Sequence, residues 1–380
     1  QIIATMTGVS LATADEKRRS LGDRAGQQEV CDWFFPAATA KGYELAIIQE
    51  IWDVLRAFAS FGFCKAHAAA FALPTYQSAW LKTHYPAAFL AGVLTHDPGM
   101  YPKRLIVDEA RQMGITIAPI DVNASDAVYR VEDHGNAIRI ALATVSGISD
   151  GEVQSIIAGR PYIDLNDFVR RSGCSTPVTE SLILTGGFDS LHADVNRRDL
   201  LLHFSDLQKS PSAAVSGAQM NLGFEPPALI SSGLPAMTAS ESVKYEIDRL
   251  GIDMSRHLIE FYGEFLNAIG AVRSSDLLKQ RSQSSVLVAG IKVAMQTPPV
   301  RSGKRVIFLT LDDGYGCSDS TFFTDVQSEY ANVLYSTSLL LVRGVTRRTG
   351  ARGISIRATG AWDLRAAYES WSAKQSTLAI

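Results

Sequence analysis

Apolar residues in the first hundred positions recur at three- and four-residue spacing. Leu45, Ile48, Ile51, Trp52, Leu55, Phe58 and Ala59 share one face of a helix. A helix is also predicted over 12–24, with Ser10 or Thr13 placed to cap it. Over 66–82 the chain is alanine-rich, with Phe71, Tyr76 and Trp80 as its large apolar residues. That pattern predicts a slim helix able to lie close against a ligand or another helix. Pro74 should kink it, and Pro86 should open the next one. A further helix over 101–113 precedes a shorter period. Strands are predicted over 115–118, 128–131 and 138–141, with Asp133-His134-Gly135-Asn136 as the turn between the last two.

Beyond residue 141 the pattern changes twice. Leu142, Val145, Gly147, Ile148, Val153, Ile156 and Ile157 fit one helix-hairpin-helix unit. Leu182, Leu184, Gly186, Gly187 and Phe188, with a helix over 196–202, fit a second. A glycine hairpin that leads into a helix start offers backbone N–H groups to a DNA phosphate without reading sequence. The candidates are Gly147, Ser149, Gly186 and Gly187. A plain helical bundle joined by glycine turns fits the same residues equally well. Residues 205–240, rich in Ser, Pro, Ala and Gly, read as a flexible linker, and 241–280 return to a helical pattern. Strands then follow over 286–294, 305–311, 320–323, 338–345 and 353–361, with a short helix over 325–331 after the third. Five strands with that helix placement predict an OB-fold barrel. Such barrels hold single strands in a basic groove with aromatic platforms. The candidates are Lys292, Arg301, Lys304, Arg305, Phe308 and Phe322, although strand alternation favours a core position for the two phenylalanines.

With 380 residues the chain exceeds one ordinary core and predicts a multidomain α+β protein of two to four domains. Its 46% hydrophobic and 20% charged residues are those of a soluble protein. No apolar run reaches membrane-spanning length and no signal peptide is visible, so no membrane partner is expected. Cys31, Cys64, Cys174 and Cys317 lie far apart and read as reduced thiols of a cytoplasmic protein; the seven histidines do not cluster with them, so no zinc site is expected. The net charge of −3 is unevenly spread. Residues 281–360 carry ten Lys and Arg against five Asp and Glu, whereas 141–280 carry eleven against seventeen. A basic module of this kind is a candidate nucleic-acid footprint, or an ordinary charge fluctuation. Gln1 opens within a helical pattern, which predicts a fragment of a longer chain.

Two basic sites carry candidate chemistry. Lys65 and His67 stand at the mouth of the alanine-rich helix, where free N–H groups and the helix dipole favour anions. By spacing alone, a buried helix with a surface Lys and His is the simpler account. Arg18 and Arg19 point about 100° apart on a helix, so that one can reach a ligand while the other braces it. A solvated basic turn is the plainer alternative.

Gly62-Phe63-Cys64-Lys65-Ala66-His67-Ala68-Ala69-Ala70-Phe71-Ala72-Leu73, followed by Tyr76-Gln77-Ser78-Ala79-Trp80-Leu81-Lys82-Thr83-His84-Tyr85-Pro86, closely resembles the fingers motif of bacterial C-family DNA polymerases. That family includes the DNA polymerase III alpha subunit and its error-prone translesion relatives. The chain departs from the motif at Cys64, Ala66 and Pro74. Thr13-Ala14-Asp15-Glu16-Lys17-Arg18-Arg19-Ser20-Leu21-Gly22 resembles a second fingers segment. The resemblance implies that Arg18, Arg19 and Lys65 face the triphosphate of an incoming nucleotide, and that His67 lies near its sugar, where a bulky group rejects a 2′-hydroxyl. Fixed cations suit the charge that develops on a leaving phosphate. In the first hairpin, Gly147-Ile148-Ser149 replaces the family's Gly-Val-Gly, and a side chain at 149 limits close approach of the backbone. Leu250-Gly251-Ile252-Asp253-Met254-Ser255-Arg256-His257, continuing into Phe261-Tyr262, looks more like the error-prone branch than the replicative one. Leu309-Thr310-Leu311-Asp312-Asp313 and Ala358-Thr359-Gly360-Ala361-Trp362 are also similar to the family.

The resemblance implies the C-terminal portion of an error-prone DNA-directed DNA polymerase acting in damage-induced translesion synthesis. Residues 1–100 would be part of the fingers, 101–140 a connector, 141–204 the tandem hairpins, 205–240 a linker, 241–280 a helical connector and 285–365 the OB fold. Primer-template DNA and the incoming dNTP are the implied partners, together with error-prone accessory proteins. Gln219-Met220-Asn221-Leu222-Gly223-Phe224 resembles a sliding-clamp-binding peptide, with Gln219, Leu222 and Phe224 as its anchors. Nucleotidyl transfer uses Mg²⁺ gripped by palm carboxylates, which the family carries upstream. No match to them occurs here, and Asp312-Asp313 reads as a structural pair in a strand turn. The isolated chain is therefore expected to be inactive. A non-catalytic DNA-binding accessory subunit and a fragment of the replicative polymerase are the alternative readings.

Overall fold

The computed structural model describes residues 1–59, 65–97, 99, 101–209, 229, 231–298 and 306–378. The chain divides into two compact units, Gln1–Trp80 and Leu81–Ile380.

The first unit contains α1 (Ile2–Thr7), α2 (Leu11–Ser20), α3 (Arg24–Ala40), α4 (Leu45–Ala59) and the start of α5 (Lys65–His84). Ser10 is the cap of α2, its side chain accepting the Thr13 N–H at 3.2 Å. The helix predicted over 12–24 breaks at residue 21, because Asp23 caps a new helix by accepting the Gly26 N–H at 2.8 Å. Only glycine fits at 26, where an added Cβ would stand 1.9 Å from the Ser20 carbonyl oxygen. The core joins Ile3, Met6, Ala14, Leu21, Val30, Phe34, Ala38, Ile48 and Trp52. Phe34 and Trp52 are centred 5.9 Å apart. On α4, Ile48 and Trp52 are buried as the spacing predicts, but Leu45, at the first turn, is exposed. Helix α5 continues through Pro74 as one element.

The second unit begins with α6 (Pro86–His96), which has Pro86 in its first turn, and α7 (Lys103–Gln112). A small sheet follows: β1 (Thr116–Ala118) runs parallel to β3 (Ala137–Arg139), and β2 (Arg130–Glu132) antiparallel to β3. The turn between β2 and β3 holds Asp133, His134 and Gly135 at positive φ. Helices α8 (Asp150–Ala158), α9 (Leu165–Ser172), α10 (Thr176–Leu184), α11 (Arg197–Lys209) and α12 (Ala239–Leu250) share one core with α6, α7 and this sheet. At its centre Phe168 meets Tyr162 and Phe188 edge to face, both at 4.9 Å. Helix α11 extends to Lys209, beyond the expected boundary at 204. The expected linker thus opens with a helical turn. It closes at Thr238, which caps α12 through a reciprocal bond pair with Glu241.

After α13 (Gly263–Ala268) and α14 (Ser274–Leu277) come β4 (Ser285–Gln296), β5 (Ile307–Asp312), β6 (Cys317–Phe322), α15 (Thr324–Ser336), β7 (Leu339–Arg348), β8 (Ile354–Asp363) and α16 (Leu364–Leu378). The five strands form a closed barrel in the order β4-β5-β6-β8-β7, with β6 and β8 parallel and the other pairs antiparallel. This is an OB-like barrel, with α15 between its third and fourth strands as expected. Val288, Leu309, Phe322, Val342 and Ile356 fill the interior. Ala289, Ile291, Leu339 and Leu341 face outward and are covered by Phe265, Leu364, Tyr368 and Trp371. Strands β4 and β7 are therefore buried on both faces, which is why their sequences read as apolar runs instead of alternating ones. Among the described residues, no helix is long and apolar enough to cross a membrane.

At the β7–β8 bulge, a Cβ on Gly344 would stand 2.4 Å from Ile356 Cγ2 and 2.5 Å from the Arg357 carbonyl oxygen. Gly344→Ala should cost about 1–3 kcal/mol, the usual penalty for overpacking. A urea titration checks this, and an unchanged midpoint would show that the barrel yields there without strain.

Candidate nucleic-acid interface

Arg18 and Arg19 do not divide into a reaching and a bracing residue. Both are held by Asp15 one turn earlier on α2: Arg18 Nε donates to Oδ1 at 3.0 Å and Arg19 Nε to Oδ2 at 2.9 Å. The two guanidinium groups hold the Asp15 carboxyl below its usual range. Both remain exposed, so this exposed pairing is weak and open to exchange for a phosphate. Lys65 is the first residue of α5, and His67 sits on its exposed face, edge-on to Phe71 at 4.5 Å. Asp15 is the acceptor that the sequence reading missed; its position three and four residues before the arginines was the available signal.

The hairpin glycines do something different from what was expected. Gly186, at φ +91°, and Gly187 close the C-terminus of α10: Gly187 N–H donates to the Leu182 carbonyl at 2.7 Å and Gly186 N–H to that of Ile183 at 3.2 Å. This is a Schellman cap, and it takes up both amides expected to face a phosphate. The start of α11 is also engaged, with Arg197 bonded to Asp189 and Arg198 to Glu241. In the first hairpin, Gly147 takes φ +80° in the turn closed by Ile148 N–H and the Val145 carbonyl. An added Cβ at Gly147 would meet no atom within 4 Å, so its backbone faces open space.

Ser149 caps α8, and its amide and hydroxyl both donate to Glu152 Oε2, at 2.9 and 2.8 Å. The other oxygen, Oε1, accepts the amide and hydroxyl of Ser175, the N-cap residue of α10, at 2.9 and 2.7 Å. One carboxylate thus closes two helix starts, and it puts negative charge where a phosphate at Ser149 would lie. The amides of Ser175 and Ser149 bring the Glu152 pKa down to about 2.

On the barrel the expected residues separate. Phe322 is fully buried in the interior, so it cannot stack a base; on β6 the inward positions are Ser318, Ser320 and Phe322. Lys292 is half-buried and its Nζ donates to the Leu334 carbonyl at 2.8 Å, in the last turn of α15. Burial pushes its pKa down, and it serves the helix C-terminus, where cations are favoured. Phe308 points outward and is 45% exposed. The register places it beside Thr321 of β6, which in turn lies beside Arg357 of β8. Phe308 and Arg357 are therefore two strands, roughly 10 Å, apart on one outer row. The Arg357 guanidinium lies 5.5 Å over the ring of Phe323, itself exposed. The sequence reading missed Arg357 and Phe323, because adjacency across β6 and β8 joins residues 36 positions apart. Arg301, Lys304, Arg305, Gln219, Leu222 and Phe224 lie outside the described residues.

The family profile described as a helix-hairpin-helix motif matches residues 114–200, so it takes in the small sheet as well as the two hairpins. The chain thus carries a helix-hairpin-helix segment over residues 114–200 followed by an OB-like barrel. Error-prone DNA polymerase of Symbiobacterium thermophilum is 30% identical over 406 residues, covering 94% of this chain and 37% of that protein. DNA polymerase III subunit alpha of Pasteurella multocida is 31% identical over 365 residues, covering 90% and 31%. Its counterpart in Escherichia coli K12 is 30% identical over 396 residues, covering 98% and 34%. Over most of its length the chain is similar to bacterial error-prone DNA polymerase and DNA polymerase III subunit alpha. It spans about a third of the length of these curated relatives.

Because the Glu152 pKa falls from an ordinary 4.5 to about 2, its stabilising effect is complete above pH 4.5 and fades as the pH drops toward 2. Glu152→Gln should lower the melting temperature at pH 6, and the gap to the parent should shrink on acidification. Melting curves from pH 6 to pH 2.5 measure it. A constant gap would mean that the bridge acts through shape and not through charge.

Proposed function

We propose that this chain is part of an error-prone DNA-directed DNA polymerase acting in translesion synthesis, and that it corresponds to the C-terminal portion of such an enzyme. The observation that carries this reading is the homology to whole-named polymerases across nearly the entire chain. Both branches are represented at 30–31% identity, so the choice of branch rests on the Ser255-Arg256-His257 segment and its continuation into Phe261-Tyr262.

In this reading α2 and α5 supply the nucleotide-facing surface. Arg18 and Arg19 exchange Asp15 for the triphosphate, Lys65 adds a point charge at the start of α5, and His67 guards the sugar. Mg²⁺ would supply charge neutralisation for phosphoryl transfer. Among the described residues, the adjacent pair Asp312 and Asp313 does not fit that ion: Asp312 is engaged by the Gly314 N–H and by His257, and Asp313 accepts the Ser274 amide and hydroxyl at 2.7 and 2.6 Å. Its carboxylates are therefore expected elsewhere in the enzyme. The hairpin body contributes the open Gly147 turn toward a DNA backbone, since the amides of Ser149, Gly186 and Gly187 are engaged internally. The barrel contributes the outer row of Phe308, Thr321 and Arg357, with Phe323, to a single strand: the rings stack bases and the guanidinium meets phosphate. Arg301, Lys304 and Arg305 would extend its positive charge. Gln219, Leu222 and Phe224 would anchor the sliding clamp.

Phe308→Ala should weaken binding of an unstructured oligonucleotide by about 1–3 kcal/mol, the worth of one base stack. Arg357→Ala should lower both the affinity and the slope of log affinity against log salt, as expected when one phosphate contact is lost. Fluorescence anisotropy at several salt concentrations tests both, and unchanged affinity in both variants would remove the barrel face from the interface. In the full-length enzyme, Arg19→Ala or Lys65→Ala should impair nucleotide use more than primer-template binding. Steady-state extension kinetics that remain normal would refute the nucleotide assignment.

A further inference from the structure

Four buried side chains converge where the helical body meets the barrel within the second unit. Asp108 comes from α7, Asp253 and His257 from the segment after α12, and Asp312 from the end of β5. None is more than 2% exposed. Each is anchored from behind by a protein donor. Arg111 donates to Asp108 Oδ1, Leu258 N–H to Asp253 Oδ2 at 3.3 Å, Gly314 N–H to Asp312 Oδ1 at 3.0 Å, and Ile259 N–H to His257 Nδ1 at 3.2 Å. The second atom of each group has no hydrogen-bond partner: Asp108 Oδ2, Asp253 Oδ1, Asp312 Oδ2 and His257 Nε2. The ion pairs of His257 with Asp108 and Asp312, and of Arg111 with Asp108, offset part of this charge, whereas Asp253 Oδ1 has neither hydrogen bond nor ion pair among the described residues, and a buried polar atom left so is costly.

The inner atoms of three of these groups are also close enough to share one ion. His257 Nε2 is 3.5 Å from Asp108 Oδ2 and 3.4 Å from Asp312 Oδ2. Atoms that surround one tetrahedral ion at roughly 2.0–2.2 Å stand about 3.3–3.6 Å apart. Ligand atoms of Asp108, Asp253 and His257 all lie within 4.8 Å of one another. The approach of the barrel is equally close. Gly314 takes φ +81°, and a Cβ there would stand 2.8 Å from His257 Cγ.

We infer that Asp108, Asp253 and His257 form a structural site for one divalent transition ion of the Zn²⁺ class, where the helical body meets the barrel, with Asp312 beside His257. The donors behind Asp108 and Asp253 orient these two carboxylates, as outer partners do in metal sites. Without a metal, the Ile259 N–H makes Nδ1 an acceptor and places the imidazole proton on Nε2, among the carboxylates. An ion at Nε2 moves that proton to Nδ1 and displaces the Ile259 bond, so loading repacks the short helical turn Leu258–Tyr262. The site is distinct from the nucleotide-facing surface of the first unit and stands whether or not the polymerase reading does.

The test uses the 380-residue chain, stripped with a chelator, loaded with Zn²⁺ and passed through gel filtration. About one Zn²⁺ per chain by elemental analysis, with a melting temperature raised by Zn²⁺ and lowered again by chelator, is the expected result. Asp108→Asn and Asp253→Asn keep the side-chain shape and should each lose roughly tenfold or more in Zn²⁺ affinity. The parent's own stoichiometry decides the matter if either variant fails to fold. No retained Zn²⁺, no Zn²⁺-dependent melting shift, or full stoichiometry in both folded variants overturns the inference.

Discussion

Two parallel residue pairs, Ser320 with Ile356 and Thr321 with Arg357, close the barrel. The outer face of the barrel depends on that short seam. Strand β4 is paired with β5 and β7, and β7 with β4 and β8, so these two can bury both faces under α13 and α16 without offering an edge to another strand. Closure also sets the outer row in which Phe308, Thr321 and Arg357 become neighbours. A shift of register by one residue at the seam would turn Arg357 inward and Ile356 outward. The interior would then have to take in a charge, which is why the register is strongly specified.

The helical body is organised by a different constraint, the need to satisfy backbone groups at helix ends. Glu152 meets that need at two helix starts at once, and the Gly186-Gly187 pair meets it at the end of α10. A hairpin built this way has its amides engaged, and those same bonds withdraw them from a ligand. The open turn at Gly147 is the exception. Within one motif, then, the glycine of one hairpin shapes a turn that faces outward, and the glycines of the other finish a helix. Sequence spacing alone treats them as equivalent.

Much of the architecture was legible in the residues. Apolar runs and alternation located every barrel strand to within a few residues, together with the small sheet and the long helices α4 and α5, while α15 runs five residues beyond its expected end. Glycine and proline marked the turns, and the fingers-like motif pointed to the family that the comparisons then bore out at about 30% identity. These features are local: a strand or helix is specified by which neighbours are apolar, and a turn by which residues tolerate positive φ. The break at residues 21–23 escaped because Asp23 reads as part of the helix until its side chain is seen to accept the Gly26 amide.

What the tertiary structure alone decided concerns the far ends of side chains. Phe308 and Phe322 look alike in sequence, yet strand alternation within a closed barrel turns one to solvent and the other to the core. Lys292 has the charge of a phosphate ligand but reaches the Leu334 carbonyl, because the barrel brings α15 beside it. Asp108, Asp253, His257 and Asp312 are spread over 205 positions and carry no spacing that marks them as a set. The chain determined which segments would be helix, strand or turn through its local apolar period. Only packing, which brings distant residues within 3.5 Å and strips water from them, decided which polar groups must find one another.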